Sequence, residues 1–506
     1  MIILVKMNKA LVIGAGVTGL ITARMLSDFY EDVCLIERDE LPKMPANRQG
    51  TPQAFHPHRV LPRGSIILER YFPDYIDELL VHGAPTTSKE LLVTVNHFGE
   101  RVIQQPVKNA SSSRALLEWV LRQRVQRINN IRFVTKTEVT GLISSEDHQT
   151  IIGVYTKGRG ENKQEVKITG DMVIDTSGRS SKAITWLNSL GYTLPEPEVL
   201  KVSLGYSTQY YKIPPHAGKE WRTVLSEGDS AKGICAGMMI RIEDNIVGAL
   251  LYSAGGNYYP STNPNKFQEE LTYLKTLEIA ETVSKLEPLQ GARGYRVQES
   301  IRQHFEKMEN WPSGLLILGD AFCSFDPIYG QGITVAAIEA ETVANCLSEE
   351  RSNPQPHFER RVLQQMQKAI EPAWWLSAIA DLRWKGVEHV GTTPIKGAAF
   401  AQKYIDLFTK KVMNIDDAEN SNLFITQLMV NALVLPPSEI FNAKVLTMIL
   451  NDNGSPEELE LRSELGVQDP EMYQQRIEEL IPSFDSAFDE RLKDVLVAVQ
   501  KQQPNN

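Results

Sequence analysis

Three glycines near the start of the chain, Gly14, Gly16 and Gly19, have the spacing at which a backbone turn can receive a phosphate. Gly14 permits a tight turn, and Gly16 has no Cβ atom to keep a pyrophosphate away. The helix that follows would offer free amide groups and a partial positive charge to the same phosphates. Glu37 follows at the distance of about 20 residues expected for a carboxylate that accepts from both ribose hydroxyls. The spacing therefore predicts an adenine dinucleotide site.

The elements that must position these residues can be recognised on either side of the glycines. An apolar run at 11–13 leads into Gly14, and a second run at 33–36 ends at Glu37. Strand, glycine turn, helix and second strand form the first unit of a dinucleotide-binding domain, which we predict over residues 9–40.

A second candidate site lies between a predicted strand at 315–318 and a predicted helix at about 333–347. Open α/β sheets bind ligands at connections of this kind. Asp320 could accept hydrogen bonds from a polyol such as a ribityl chain. Gly330 and Gly332 leave amides bare at the start of the helix, where they would stabilise negative charge on a flavin ring. The alternative is an ordinary turn in which Asp320 caps the helix.

Composition restricts the remaining possibilities. The chain has 506 residues and a formal net charge of −10, which argues against a nucleic-acid groove. No apolar run approaches the roughly 20 residues of a membrane span, so no transmembrane segment is expected. The nearest run, 424–435, could make a peripheral membrane contact or form a core helix. The cysteines have no metal-ligand spacing and predict buried thiols in a reducing cytoplasm, without a metal site: Cys34, Cys235, Cys323 and Cys346.

Three further segments have recognisable patterns. Residues 113–127 have the apolar spacing of a helix, and residues 165–174 are predicted to form one strand. Residues 200–297 alternate short apolar and polar runs with turns, which indicates an antiparallel sheet. The last 130 or so residues are predicted to be mainly helical.

The motifs together resemble FAD-dependent monooxygenases of the para-hydroxybenzoate hydroxylase type. The resemblance lies in the glycine motif with Glu37 and Arg38, in the segment 175–179, and in the block 319–332. Other stretches look most similar to the squalene-epoxidase-like and polyether-epoxidase-like branch: 48–53, 113–114, 205–207, 311–312, 327–332 and 381–383.

The resemblance implies an α/β fold with an α+β insertion. A Rossmann-like FAD-binding domain would be interrupted by an antiparallel-sheet substrate domain and followed by a mainly helical C-terminal region. The implied boundaries are 1–85, 110–197 and 300–372 for the FAD-binding domain, 86–109 and 198–299 for the substrate domain, and 373–506 for the C-terminal region.

The resemblance also assigns residues to FAD. The implied cofactor-binding residues are Gly14, Gly16, Gly19, Glu37, Arg38, Arg48, Arg114, Asp175, Gly319, Asp320, Gly330 and Gly332. The residues expected beside the isoalloxazine ring are Pro327, Gly330, Gln331 and Gly332. No catalytic side chain is assigned, because the flavin carries the difficult chemistry.

The implied reaction inserts one oxygen atom from O2 into a largely apolar small molecule through a flavin C4a-hydroperoxide. Epoxidation of an alkene and hydroxylation both remain open, in what we expect to be specialised metabolism. No second glycine motif for a nicotinamide domain is found, so NAD(P)H either reaches the flavin transiently or supplies a separate flavin reductase. Tyrosines of the predicted sheet suit an apolar cavity with polar handles: Tyr206, Tyr210, Tyr211, Tyr252, Tyr258 and Tyr259.

Other functions are compatible with the same fold. A flavin-dependent halogenase would use a lysine and a Trp-x-Trp-x-Ile-Pro segment, but the segment is absent and no lysine lies between Lys43 and Lys89. A geranylgeranyl-type prenyl reductase would carry an aromatic substrate motif, and residues 210–214 lack its tryptophan. A non-catalytic flavin-binding protein is a third alternative, against which the intact flavin motifs argue.

Overall fold

The computed structural model describes residues 6–88, 90–105, 109–159, 164–214, 221–414, 418–450 and 454–488. The strands are β1 Met7–Ile13, β2 Tyr30–Ile36, β3 Leu91–Asn96, β4 Gly99–Gln104, β5 Ile131–Val134, β6 Thr137–Ser144, β7 Ile151–Gly158, β8 Glu165–Thr169, β9 Met172–Asp175, β10 Glu198–Lys201, β11 Leu204–Lys212, β12 Arg222–Glu227, β13 Ala236–Ile242, β14 Ile246–Ser253, β15 Glu287–Pro288, β16 Arg293–Val297, β17 Ser300–Arg302, β18 Leu315–Ile317, β19 Cys323–Ser324 and β20 Glu388–Val390.

The helices are α1 Val17–Leu26, α2 Pro62–Tyr71, α3 Tyr75–Val81, α4 Arg114–Gln126, α5 Ala183–Ser189, α6 Pro264–Leu271, α7 Glu278–Val283, α8 Gly332–Ser352, α9 Phe358–Asp381, α10 Ala398–Asn414, α11 Ala418–Asn431, α12 Ala443–Ile449, α13 Pro456–Leu465 and α14 Tyr473–Leu480. The chain forms two compact units, each built from three segments. The first unit comprises Met1–Val81, Ser113–Glu198 and Ser300–Ile370, and the second comprises His82–Ser112, Val199–Glu299 and Glu371–Asn506.

The first unit is built on a five-stranded parallel sheet in the order β18-β9-β1-β2-β5. The last four residues of both β1 and β2 are buried, as strands covered on both faces require. The predicted strand, glycine turn, helix and second strand are confirmed as β1, α1 and β2. The predicted helices at 113–127 and 333–347 are also confirmed, as α4 and α8.

The single strand predicted over 165–174 is wrong, because the chain turns at Gly170 and Asp171. β8 pairs with β7 in a three-stranded antiparallel sheet, whereas β9 belongs to the parallel sheet. The Asp171 carboxylate accepts a hydrogen bond from the Lys9 amide at 2.8 Å. A Cβ atom on Gly170 would lie only 2.9 Å from the Leu11 side chain. The turn is therefore fixed against β1 by contacts distant in sequence.

A polar cluster in the first unit surrounds His304. Its Nδ1 lies 2.9 Å from Glu306 Oε1, and its Nε2 lies 3.6 Å from Glu198 Oε2. Arg302 also pairs with Glu198, at 3.6 Å. Burial alone would lower the pKa of His304, but its hydrogen bonds with the two glutamates outweigh burial and raise that pKa.

The second unit contains an eight-stranded sheet in the order β15-β11-β14-β13-β12-β3-β4, with β16 also paired to β11. Its pairs are antiparallel except for β12 with β3. One face packs against α6 and α7 through a core that includes Phe267, Leu271 and Ile279. The antiparallel sheet predicted for residues 200–297 is confirmed, and β3 and β4 extend it.

The C-terminal part of the second unit is mainly helical, as predicted. Trp374 and Trp375 are buried, and the Trp375 indole donates to the Lys396 carbonyl at 2.9 Å. The apolar side chains of 424–435 are buried as well, except for the half-buried Leu428, so this segment packs in the core as the second of its two predicted roles required. Within the described part of the chain, no helix has both the length and the apolar character needed to cross a bilayer. The prediction of four buried cysteines fails at Cys346, which is half-buried.

Candidate functional site

The motifs predicted to bind a ligand converge at one edge of the parallel sheet. The loops after β1, β9 and β18 carry the glycine motif, the segment 175–179 and Gly319 with Asp320. Parallel strands all end at the same edge, where open α/β sheets bind their ligands. Glu37 follows β2 at this edge, so four neighbouring strands place the predicted residues together.

The glycine motif is packed against the loop that follows β9. Gly14 has a φ of +100°, and a Cβ atom on it would lie 3.0 Å from the Thr176 carbonyl oxygen. A Cβ atom on Gly19 would lie 1.8 Å from the Gly14 carbonyl oxygen and 2.8 Å from Thr176 Oγ1. The Thr176 hydroxyl donates to the Ile13 carbonyl at 2.7 Å. Gly14 and Gly19 are therefore required by the protein's own packing.

Gly319 connects the second motif to the first. It has a φ of +67°, and a Cβ atom there would lie 2.8 Å from the Thr18 side chain on α1. Its amide donates to the fully buried Glu339 of α8 at 2.5 Å. The Asp320 carboxylate is partly exposed and lies 3.9 Å from the position of a Cβ atom on Gly332, at the start of α8. Asp320 is thus directed toward the helix N-terminus.

The segment predicted to lie beside a flavin ring forms the turn into α8. Pro327 begins a single 3₁₀ turn, and Gly330 follows it with a φ of +67°. Gln331, rather than Asp320, is the N-cap residue of α8, which begins at Gly332. These residues leave the first amides of a 21-residue helix at the ligand edge of the sheet.

Glu37 accepts hydrogen bonds within this edge. Its Oε2 accepts from the Ala15 amide at 2.7 Å, and its Oε1 accepts from the Asp39 amide at 2.9 Å. Arg48 Nη1 lies 3.4 Å from Oε1. A carboxylate has about four lone-pair positions, so Glu37 retains capacity for a ribose hydroxyl.

Two arginines face Gly16. A Cβ atom on Gly16 would lie 3.9 Å from Arg114 Nη2 and 4.0 Å from Arg48 Nη2, which are the nearest atoms of the described residues apart from its chain neighbours. Arg114 is 8% exposed, and its Nε has no hydrogen-bond partner among the residues that the structure describes. Burial by itself would lower the pKa of Arg48, but Glu118 and Glu37 raise it, so the guanidinium stays charged. An open glycine, a helix N-terminus and two directed guanidinium groups fit a ligand diphosphate.

Asp175 and Arg38, both predicted to bind FAD, interact with other residues of the protein. The Asp175 carboxylate accepts from the Ser177 amide at 2.9 Å and from the hydroxyls of Ser177 and Ser181, each at 2.6 Å. Its contribution to a ligand contact would therefore come through the loop that it holds. Arg38 is half-buried, and its charge adds to the larger effect of Lys182 in lowering the pKa of Glu138.

Four polar residues of this edge carry no individual prediction from the sequence: Asp39 and Glu118 were not singled out, and Thr176 and Arg179 were predicted only as part of the segment 175–179. Arg48 donates to Asp39 at 2.9 Å and to Glu118 at 2.8 Å. Arg179 donates to the Phe325 carbonyl at 2.6 Å and lies 3.8 Å from Asp320. The four-residue spacing from Arg114 to Glu118 was an available signal, since residues at this spacing share a helix face.

His56 and His58 lie in the connector after β2, near this edge, and a backbone contact accounts for the position of the His58 ring. His58 Nδ1 lies 2.8 Å from the His56 carbonyl oxygen. Burial, together with the charge of Arg114, lowers the pKa of His58 to about 4, so this histidine is neutral at pH 7. Among the residues that the structure describes, no group of three or more His, Cys, Asp or Glu side chains is placed to hold a metal ion.

Comparisons with known proteins identify the class of fold. No protein-family model matches the chain. Protein Rv3254 of Mycobacterium tuberculosis is 27% identical over 384 residues, which are 74% of this chain and 80% of that protein.

Among solved structures, the flavin-dependent brominase Bmp2 has a TM-score of 0.58 and 14% identity, covering 84% of this chain and 92% of its own. The myxobacterial chondrochloren halogenase CndH, an FAD-dependent halogenase, has a TM-score of 0.57 and 13% identity, covering 96% and 100%. PqsL of Pseudomonas aeruginosa, described as a probable FAD-dependent monooxygenase, has a TM-score of 0.54 and 15% identity, covering 74% of this chain and 94% of its own. The chain therefore has the fold of FAD-dependent monooxygenases and halogenases, which confirms the predicted fold class.

Proposed function

We propose that this chain binds FAD and is a monooxygenase that inserts one oxygen atom from O2 into a largely apolar organic substrate. The observation that carries the proposal is the convergence of the glycine motif, the Gly319–Asp320 turn and two directed arginines at the carboxyl edge of the parallel sheet. The similarity of the fold to FAD-dependent enzymes supports the same cofactor.

Each group at this edge then has a task in holding FAD. Arg48 and Arg114 would bind the diphosphate over Gly16, and Glu37 would accept from the adenosine ribose. Asp320 would accept from the ribityl hydroxyls. The N-terminus of α8 would stabilise negative charge at the ring. When bound and reduced, FAD supplies the electrons that activate dioxygen.

A face of the second unit's sheet suits an apolar substrate. The strand register pairs Tyr206 with Tyr252, and Thr208 with Leu250, so these side chains share one face. Tyr210 lies on this face too, whereas the next residue, Tyr211, points to the opposite face and into the core against α6 and α7. Tyr258 packs against that core too, and its hydroxyl donates to Glu270.

Only part of the predicted set of tyrosines therefore lies on the proposed substrate face. Tyr206, Tyr210 and Tyr252 supply aromatic surface with a few polar atoms. Burial raises the pKa of Tyr210, which keeps its hydroxyl protonated. Epoxidation of an isolated alkene is the finer form of the proposal, supported by the resemblance to the squalene-epoxidase-like branch. NAD(P)H, directly or through a flavin reductase, is the proposed electron source.

A flavin-dependent halogenase is the second candidate, because two of the similar structures are halogenases. The region between Lys43 and Lys89 contains no lysine to pass on hypohalous acid, which favours the monooxygenase. A prenyl reductase is the third, and it would need no oxygen.

One experiment separates these functions. FAD is titrated into the full chain, photoreduced without oxygen and mixed with bromide and a panel of apolar alkenes and phenols. Isotopically labelled O2 is added last. Because photoreduction supplies the electrons, neither NAD(P)H nor a reductase is needed. A product carrying one labelled oxygen atom is expected. A brominated product would instead establish a halogenase, and an alkene reduced before oxygen is added would establish a reductase. Failure to bind FAD would overturn the proposal altogether.

A further inference from the structure

Glu118 lies among three arginines in the first unit. Arg114, Glu118 and Arg122 follow one another at four-residue spacing on α4 and therefore share one face of the helix. All three are buried, with exposures of 8%, 5% and 2%. Glu118 Oε1 accepts from Arg48 Nε at 2.8 Å and lies 3.9 Å from Arg122 Nη1. Glu118 Oε2 accepts from Arg114 Nη2 at 3.3 Å.

The guanidinium groups that Glu118 contacts include the two that face Gly16. Each presents an Nη2 atom to the open side of that glycine, at 4.0 Å for Arg48 and 3.9 Å for Arg114. Glu118 therefore contacts both arginines while both are directed at the same point.

The buried charges of this region are balanced. We define the arginine cluster as the three cations and three carboxylates that contact one another and whose side chains are at most 10% exposed: Arg48, Arg114, Arg122, Glu37, Asp39 and Glu118. The exposed Arg159, 3.8 Å from Asp39, lies outside this cluster. Since positive and negative groups are equal in number, the cluster attracts an anion through the direction of its N–H groups rather than through excess charge. Direction is what Glu118 can control.

We propose that Glu118 is a positioning residue, which fixes the guanidinium groups of Arg48 and Arg114 so that they bind the diphosphate of a dinucleotide at Gly16. The inference rests on the proposed FAD binding and deepens it. The competing role is that of a simple counter-ion. The two roles predict opposite results, because removing a negative charge near a diphosphate strengthens binding unless the arginines lose their orientation.

The test uses the full chain and isothermal titration calorimetry with ADP and adenosine, which differ in the diphosphate. In Glu118→Gln, we expect the Kd for ADP to rise roughly tenfold, since a charge-assisted hydrogen bond is lost. The Kd for adenosine should stay unchanged. Tighter or unchanged ADP binding would overturn the proposal, and so would an equal loss for both ligands, which indicates general damage.

A second variant separates position from charge and serves if Glu118→Gln fails to fold. Glu118→Asp keeps the negative charge but has a shorter side chain. A positioning role therefore predicts weaker ADP binding, whereas a counter-ion role predicts unchanged ADP binding. The matched control is Glu78→Gln. It removes a carboxylate of α3 that pairs with Arg124, a residue of α4 like Glu118, and it should leave ADP binding unchanged.

A double-mutant cycle tests whether Glu118 affects ADP binding through Arg48 and Arg114. In an Arg48→Ala, Arg114→Ala background, Glu118→Gln should have no further effect on ADP binding, because the groups that it directs are gone. An undiminished effect would overturn the proposal. If the unmodified chain binds neither ADP nor FAD, the proposed function fails. If it binds ADP and Glu118→Gln binds it equally well, only the role of Glu118 fails.

Discussion

Gly16→Ala distinguishes a glycine kept for a ligand from one kept for folding. Apart from its chain neighbours, a Cβ atom on Gly16 meets no atom of the described residues closer than 3.9 Å, and its φ of −72° is accessible to alanine. The same atom would stand where the diphosphate must approach the start of α1. We therefore expect the apoprotein to fold normally and to bind FAD more weakly.

The magnitudes follow from these contacts. At an N-cap position, alanine is less favourable than glycine by about 1 kcal/mol, while reduced freedom of the unfolded chain returns about 0.4–1 kcal/mol. The free energy of unfolding should thus change by less than about 1 kcal/mol. Overpacking a rigid contact costs about 1–3 kcal/mol, which corresponds to a roughly 5- to 150-fold increase in the Kd for FAD.

The assay combines thermal unfolding of the apoprotein with FAD titration followed by flavin fluorescence. Gly291→Ala is the matched control, because a Cβ atom there meets nothing within 4 Å and its φ is not positive. If Gly16→Ala binds FAD as tightly as the unmodified chain, Gly16 does not lie against the diphosphate and the reasoning is refuted. A large loss of apoprotein stability would equally contradict the claim that the position is open.

Three further outcomes are expected. Gly19→Ala should destabilise the apoprotein by roughly 1–3 kcal/mol in denaturant unfolding, because its Cβ atom would lie 1.8 Å from the Gly14 carbonyl oxygen; unchanged stability would contradict this packing. Asp320→Ala should weaken FAD binding about tenfold in the same titration and leave ADP binding unchanged, since ADP has no ribityl chain; a loss for both would indicate a structural role. The raised pKa of His304 stabilises the fold fully below its ordinary pKa of about 6.5, and this stabilisation is lost as the pH rises through the folded value. The unfolding temperature of the unmodified chain should therefore fall relative to that of His304→Gln as the pH increases above about 6.5, and parallel profiles would exclude this linkage.

Sequence patterns predicted the local elements of the first unit well. The helix from Arg114 was expected because its apolar residues recur at helical spacing, and β1, α1 and β2 follow from two apolar runs on either side of a glycine turn. The single strand predicted at 165–174 failed because apolar residues such as Val166 and Val173 occur on both sides of Gly170, although β8 is largely exposed and β9 is buried. The pairing of β8 with β7 and of β9 with β1, together with the hydrogen bond from the Lys9 amide to Asp171, shows where the chain leaves one sheet for another.

The tyrosines show the same limit in the second unit. Tyr210 and Tyr211 are adjacent and chemically identical, so composition assigned both to a cavity. Pairing of β11 with β14 places them on opposite faces, and packing of α6 and α7 buries Tyr211 in the core.

The sequence by itself determined the local elements and predicted the class of site, because glycine spacing, a carboxylate after the second strand and a strand-to-helix turn are local signals. The assignment of individual residues to FAD stays a prediction. Tertiary structure alone decided that Glu118 meets Arg48, 70 residues earlier, and that both arginines face Gly16. The physical reason is that these contacts depend on how α4 and the connector after β2 pack, and no spacing along the chain encodes the distance between two such elements.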